Sequence, residues 1–296
     1  MEKKPLVVVN GLVRKDAIAY LKEHVDVRQW TEKTVMPREV LKEWLIDADG
    51  LWCVRPLDVD GDLVKNAPNL KVIAQAAVGY DNVNIDELTA AGIPYGNTPG
   101  VLNETVAELA FTLIATASRR IIENANFVKD GRWAQRPSNI KGFDLSRRTL
   151  GIIGMGAIGV SISRRARAFG MTVVYHNRNQ RLDDKIHKTT YMELDDLLAI
   201  SDVVCVMAPL TDETYHMCDE AFFKKMKNTA LFVNVGRGPI VDTKALINAL
   251  KTDEIDYAAL DVTDPEPLPA DHPLLDVENC LIVPHIGSYT DRTRLD

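Results

Sequence analysis

Three segments late in the chain close apolar runs with polar side chains of complementary chemistry. NVGRG carries Arg237, LDVTDPEP carries Asp261 and Glu266, and IVPHIGS carries His285. A guanidinium can grip a carboxylate or polarise a carbonyl. An imidazolium can hand a proton to the carbonyl oxygen as hydride reaches the carbon, and a glutamate beside it keeps it charged near neutrality. Converging Arg, Glu and His therefore suit reduction of a 2-oxo acid. Each residue alone has a plainer explanation: a strand-end Arg in a salt bridge, a Glu solvated in a Pro-rich loop, a structural His. Their joint occurrence, in this order behind a dinucleotide loop, carries the reading.

That loop lies in GIIGMGAIG. Thr149–Ile153 reads as a strand, Gly154, Gly156 and Gly159 follow in G-x-G-x-x-G spacing, and VSISRRARAFG continues as a helix. The first glycine permits a tight turn, the second lets a pyrophosphate approach the backbone, and the third lets the helix pack on its strand. Free N–H groups at the helix start, around Ile158, then face the phosphates. A lone glycine motif could be a turn without ligand; the strand before it and the helix after it favour a nucleotide. At the end of the next strand, in VVYHNRNQR, a carboxylate would bond both ribose hydroxyls of NAD and repel a 2′-phosphate. Asn177 and Arg178 stand there instead. Arg178 can form a charge-assisted fork with that phosphate and Arg181 can join it, whereas Asp183 and Asp184 come too late to fill the acidic position. The expectation is NADP(H) in preference to NAD(H). The alternative is a merely solvated Arg178, with NAD bound without the acid.

The elements that must position these residues alternate along almost the whole chain. LVVVN, VDVRQW, GLWCVR, LKVIAQAA and IPYGN read as strands, with helical spacing in RKDAIAYLKEH and PREVLKEWLIDA between them. A second series follows residue 148: TLGIIG, MTVVYH, SDVVCVMAP, NTALFVNVG, DYAALDV and CLIVPH. Such alternation builds parallel sheets covered by helices on both faces, so the fold class is α/β with two doubly wound domains. Between the series, VLNETVAELAFTLIATASRRIIENANFVKDGRW reads as one long helix opening after Pro99 and Gly100. Its centre, residues 107–117, is apolar nearly all round. Either a junction or subunit interface buries it, or it is a central core helix. The domains are expected at 1–98 for the substrate and 99–288 for the dinucleotide, with 289–296 returning toward the first.

Bulk properties exclude several classes. The 296 residues are 46% hydrophobic, enough for two cores, and the net charge of −7 comes with no basic face for nucleic acid or an anionic membrane. No apolar stretch reaches the roughly 18 residues of a bilayer span. MEKKPLVVVNG reads as a first strand rather than a signal peptide. Cys53, Cys205, Cys218 and Cys280 show no C-x-x-C spacing and read as reduced, buried thiols of a cytoplasmic protein, with no metal site. The sequon Asn103-Glu104-Thr105 then has no bearing on glycosylation.

The sequence resembles the D-isomer-specific 2-hydroxyacid dehydrogenases, and most of all the glyoxylate/hydroxypyruvate reductases. The resemblance covers nearly the whole chain and rests on AAVGYDNVNIDEL, NTPGVLNETVAELA, GIIGMGAIG, NVGRGPIVD, LDVTDPEPLPADHPLL and VPHIGS. It implies a Rossmann coenzyme domain and a flavodoxin-like substrate domain with the site in the cleft, and a homodimer paired through the coenzyme domain. It implies a catalytic set of Arg237, Glu266 and His285, with Arg237, His285 and the backbone N–H groups of Val78 and Gly79 on the substrate. Carried over likewise, Asp261 and Val235 lie near the nicotinamide, Pro209 along the cofactor, Gly287 close to its ring, and Thr105 at a further cofactor contact. The neutral Asn177 matches the NADPH-using reductases and departs from the NAD-linked phosphoglycerate dehydrogenases. The family continues past the histidine loop into a helix, and the printed sequence reaches Asp296 where TDRTRLD would begin it. Related readings are a 2-ketogluconate reductase and, from another class, a nucleotide-sensing corepressor; a formate dehydrogenase would place glutamine beside the histidine, where Pro284 stands. Arg55 and the segment around Trp133, the latter from a partner subunit, are candidates for shaping the side-chain pocket.

Overall fold

The structure, a computed structural model, describes residues 3–54 and 57–293. Arg55 and the last residues of the 289–296 segment lie outside the described residues. The chain divides into two compact units, Met1–Gly100 and Val101–Asp296.

The first unit is a parallel sheet of β1 (Leu6–Val9), β2 (Asp26–Gln29), β3 (Gly50–Cys53), β4 (Val72–Gln75) and β5 (Tyr95–Gly96), in the order β2-β1-β3-β4-β5. Helices Lys15–His24, Arg38–Leu45, Gly61–Lys65 and Ile85–Ala90 make the crossovers that parallel pairing requires. Two of them begin at side-chain caps: Asp60 accepts from the Leu63 N–H at 2.9 Å, and Asn84 from the Glu87 N–H at 3.1 Å. Val8, Leu41, Leu45, Leu51, Leu63 and Ile73 pack into one buried cluster. The strand order reverses between β1 and β3, the flavodoxin-like arrangement.

The second unit holds seven parallel strands: β6 (Thr149–Ile153), β7 (Thr172–His176), β8 (Thr190–Tyr191), β9 (Val203–Val206), β10 (Leu231–Asn234), β11 (Tyr257–Leu260) and β12 (Cys280–Ile282). Their order is β12-β11-β10-β9-β6-β7-β8, reversing between β6 and β9. Alternation assigns each residue to one of two cores. Val203 and Cys205 join Leu150, Ile152, Leu231 and Val233 on one face; Val204 and Val206 join Ile153, Phe232 and Leu260 on the other. Every residue of β9, β10 and β11 is buried, as expected of strands covered on both sides. Sequence reading found six of the seven strands; β8, two residues long at the sheet edge, is too short to show a periodicity.

The expected single long helix is two. Asn103–Ser118 ends before Arg120, whose φ of 50° is left-handed and cannot continue a helix, and Ile121–Lys129 starts afresh. The Arg120 side chain lies 4.0 Å over the Tyr257 ring and pairs with Asp256 at 2.8 Å. The apolar centre of Asn103–Ser118 is buried within the second unit, in the core that contains β10, β11 and helix Ala157–Ala168. Of the two readings of that stretch, the core helix is the one observed.

Close packing of helix on sheet makes a testable demand at Gly151 in the middle of β6. A Cβ there would overlap Ser201 Oγ and lie 2.6 Å from Leu197 Cδ2. Gly151→Ala is expected to lower the unfolding free energy by about 1–3 kcal/mol, the usual range for overpacking a filled core, as read by urea denaturation.

Candidate active site

The three strands whose ends carry Arg237, Asp261 with Glu266, and His285 are sheet neighbours β10, β11 and β12. Parallel pairing puts all their carboxyl ends on one edge, so residues far apart in sequence meet. His285 Nδ1 lies 2.6 Å from Glu266 Oε1. That hydrogen bond raises the histidine pKa above its ordinary value against the opposing effects of burial and of Arg237. Glu266 moves the other way: burial pushes its carboxyl up, and the bond and charge of His285, with the Thr263 N–H and the charge of Arg237, together leave it below the usual range. The charge of Arg237 acts on both members, favouring the ionised glutamate and opposing the imidazolium.

The loops are held by contacts that leave little choice of residue. Asp261 is 2% exposed and takes the N–H of Ile286 at 2.7 Å on one oxygen and that of Gly287 at 3.0 Å on the other. Its own carbonyl accepts from the His285 N–H at 2.9 Å. Gly287 has no room for a side chain, since a Cβ would sit 2.8 Å from Asp261 Oδ2. Arg237 is set by Asn234 at the end of β10, whose amide donates to the Arg237 carbonyl at 2.9 Å and accepts from the Gly236 N–H at 3.0 Å. A Cβ on Gly238 would overlap the Thr263 backbone, so the arginine loop and the glutamate loop are in direct contact there. Sequence reading passed over Asn234. The signal was present, a buried amide closing an otherwise apolar strand.

On the other side of the sheet reversal, the glycine loop has the shape its spacing predicts. Gly154 has φ 100° and would meet the backbone of Met207 and Ala208 with any Cβ, while Gly159 lies against the Gly154 carbonyl. Nothing lies within 4 Å of a Cβ built on Gly156. Helix Ala157–Ala168 begins there with no side-chain cap, so the first-turn N–H groups, including that of Ile158, have no partner in the helix. A closed turn, an open second glycine and an uncapped helix start fit the diphosphate of a dinucleotide.

The residues after β7 divide into two roles. Asn177 Oδ1 accepts from the Met155 N–H at 2.6 Å, and Arg181 Nη1 donates to the Met155 carbonyl at 3.0 Å, so both hold the glycine loop. The Arg181 fork is engaged by Asp183, whose carboxyl it holds at about 2. Arg178 is the outward cation. Its side chain is 79% exposed and pairs with Glu213, from the loop after β9, at 3.3 Å. Pro209 is exposed in that same loop, and Val235 is buried just past β10. The Thr105 hydroxyl lies 2.6 Å from that of Thr293.

In the first unit, Val78 and Gly79 follow β4. The Asn97 amide donates to the Val78 carbonyl at 2.9 Å, and the Gln75 amide to the Gly79 carbonyl at 2.8 Å.

The fold and site define a two-domain NAD(P)-dependent oxidoreductase. Residues 111–287 match the model for the D-isomer specific 2-hydroxyacid dehydrogenase, NAD binding domain. A glyoxylate reductase from Korarchaeum cryptofilum is 42% identical over 98% of this chain and 89% of its own length. Among solved structures, the TT0316 protein of Thermus thermophilus superposes with a TM-score of 0.91 at 38% identity, over 98% of this chain and 92% of that one. The NADPH-dependent glyoxylate/hydroxypyruvate reductase of Sinorhizobium meliloti, in complex with NADP and malonate, superposes at 0.89 with 29% identity, covering 99% and 89%. The chain belongs to the D-isomer specific 2-hydroxyacid dehydrogenase family.

The open second glycine generates a direct test. Gly156→Val places a side chain over the loop without a clash in the protein. It should leave the melting temperature close to that of the parent while weakening dinucleotide binding by about tenfold or more, equivalent to about 1.4 kcal/mol, by fluorescence titration.

Proposed function

We propose that this chain reduces a small 2-oxo acid, of the glyoxylate or hydroxypyruvate type, to the D-2-hydroxy acid with NADPH. The pairing of His285 with Glu266 beside Arg237 carries the reading, because it holds a proton donor and a carboxylate-binding cation at one sheet edge. Relatives named glyoxylate reductase, similar over nearly the whole chain, support the substrate class.

A bound reduced nicotinamide supplies the hydride. Arg237 and the N–H groups of Val78 and Gly79 take the substrate carboxylate. His285 donates its proton to the carbonyl oxygen, and Glu266 keeps the ring charged and oriented through Nδ1, leaving Nε2 to face the substrate. Gly154, Gly156, Ile158 and Gly159 hold the diphosphate, with Asn177 and Arg181 fixing that loop from behind. Val235, Asp261 and Gly287 border the nicotinamide, while Pro209 and Thr105 line other parts of the cofactor. Arg178 takes the 2′-phosphate, a preference supported by its exposure and by the absence of an acid at Asn177. Two copies pair through the second unit, where Ile121, Ile122, Val128 and Trp133 expose apolar surface. The free cysteines suit a reducing compartment, the cytoplasm.

A steady-state panel of glyoxylate, hydroxypyruvate and 2-ketogluconate, each with NADPH and NADH, tests substrate and cofactor together. Turnover of the two smaller acids with NADPH is expected, and none across the panel would favour a nucleotide sensor. Arg178→Ala should raise the NADPH KM by about 10- to 100-fold, the loss of a charge-assisted bond of about 1.5–3 kcal/mol, with little effect on NADH.

The proton donor sets the pH dependence. Since His285 is raised, its charged form persists above the ordinary histidine range, and reduction should fall as pH climbs through that raised pKa. Glu266→Gln removes the cause of the rise while burial remains, so the alkaline limb of kcat should move to lower pH. A limb that stays in place would separate Glu266 from proton donation.

A further inference from the structure

Three consecutive carbonyls in the loop after β4 are held from within the first unit. Ala77 accepts from the Thr98 N–H at 3.1 Å, Val78 from the Asn97 amide at 2.9 Å, and Gly79 from the Gln75 amide at 2.8 Å. Gln75 is itself fixed, being 8% exposed and bonded through the same nitrogen to Asn82 at 3.3 Å; Asn82 in turn donates to the Leu57 carbonyl. Among the described residues, the N–H groups of Val78, Gly79 and Tyr80 donate to no other group of the chain. The loop therefore has its acceptors tied down and its donors turned out.

The planarity of the peptide links these two facts. In a trans peptide the C=O and the following N–H point in opposite directions, and the barrier to rotation is about 18–20 kcal/mol. Fastening the Val78 oxygen to Asn97 thus aims the Gly79 N–H directly away from Asn97. Glycine at position 79 would otherwise allow the whole peptide to turn over, because it has no Cβ to restrict it. The side chain that prevents this is a donor on the strand extension beyond β5, opposite Gln75 on the extension of the β4–β5 register.

We propose that Asn97 is a positioning residue for substrate binding: by holding the Val78 carbonyl, it keeps the Gly79 N–H pointed at the carboxylate of the 2-oxo acid. This deepens the functional reading above and rests on it. Asn97 touches neither substrate nor cofactor in this role. An aspartate of the same shape could not substitute, because an ionised carboxylate has no donor for the Val78 oxygen.

The test compares Asn97→Ala and Asn97→Asp with the parent, measuring the KM and kcat for glyoxylate, the NADPH Kd and the pH profile of kcat. Both variants should raise the glyoxylate KM by about 10- to 100-fold, the range for a hydrogen bond to a charged group, with NADPH Kd within about twofold. The alkaline limb set by His285 should not move, since its cause lies in another unit of the chain. Asn97→Asp keeps the side-chain shape and decides the matter if the alanine variant is unstable. An unchanged glyoxylate KM would overturn the inference, as would an equal weakening of NADPH and glyoxylate binding, which marks general damage. If the parent chain itself turns over no 2-oxo acid, the functional reading fails and this inference falls with it; a parent that turns over normally beside an unaffected Asn97→Asp sinks the inference alone.

Discussion

A single buried carboxylate ties the chemical edge of the second unit together. Asp261 directly follows β11 and spends both oxygens on the N–H groups of Ile286 and Gly287, while its carbonyl receives the N–H of His285. The loop after β12 is thereby fixed to the end of β11, and His285 sits within it at a φ of 51°. Burial pushes the Asp261 carboxyl above its ordinary range, and the two N–H bonds and the charge of His285 oppose that rise without cancelling it. The resemblance to relatives placed Asp261 near the nicotinamide; its contacts here make it first of all the anchor of the histidine loop.

With that loop held, the electrostatics of the site follow from which charges face one another. Glu266 and His285 stabilise each other's charged forms, and Arg237 favours the glutamate while opposing the histidine. The two cations, Arg237 and His285, are offset at this partly buried edge by Glu266 and by the Asp261 carboxyl, whose charge also favours the imidazolium. Contact between Gly238 and the Thr263 backbone keeps the arginine loop against the glutamate loop, so the triangle does not depend on flexible side chains alone.

The glycine loop is supported in a comparable way, from residues that at first look like ligands. Asn177 and Arg181 grasp opposite ends of the Met155 backbone. Each is therefore committed to holding the shape in which Gly156 stays open. That leaves Arg178 as the outward-facing cation of this turn, and its exposed partner Glu213 restrains it only weakly. Arg178 is thus held by one exposed ion pair, whereas the Met155 backbone of the glycine loop is held from both ends.

Much of this was legible in the chain itself. Alternating strand and helix patterns, strand-end Arg, Glu and His, and glycines at G-x-G-x-x-G spacing determine the two α/β units and name the chemistry, because periodicity and spacing are local properties. What tertiary structure alone decided is less local. The left-handed break at Arg120 coincides with a cation–π contact to Tyr257, which is 137 residues away and invisible to helix propensity. The supporting amide of Asn97 gains its role from a carbonyl brought beside it by the β4–β5 register, and those of Gln75 and Asn234 from the way the loop after each strand folds back on it. Residue type states what a group can donate or accept, and only the folded backbone states what lies within 3 Å of it.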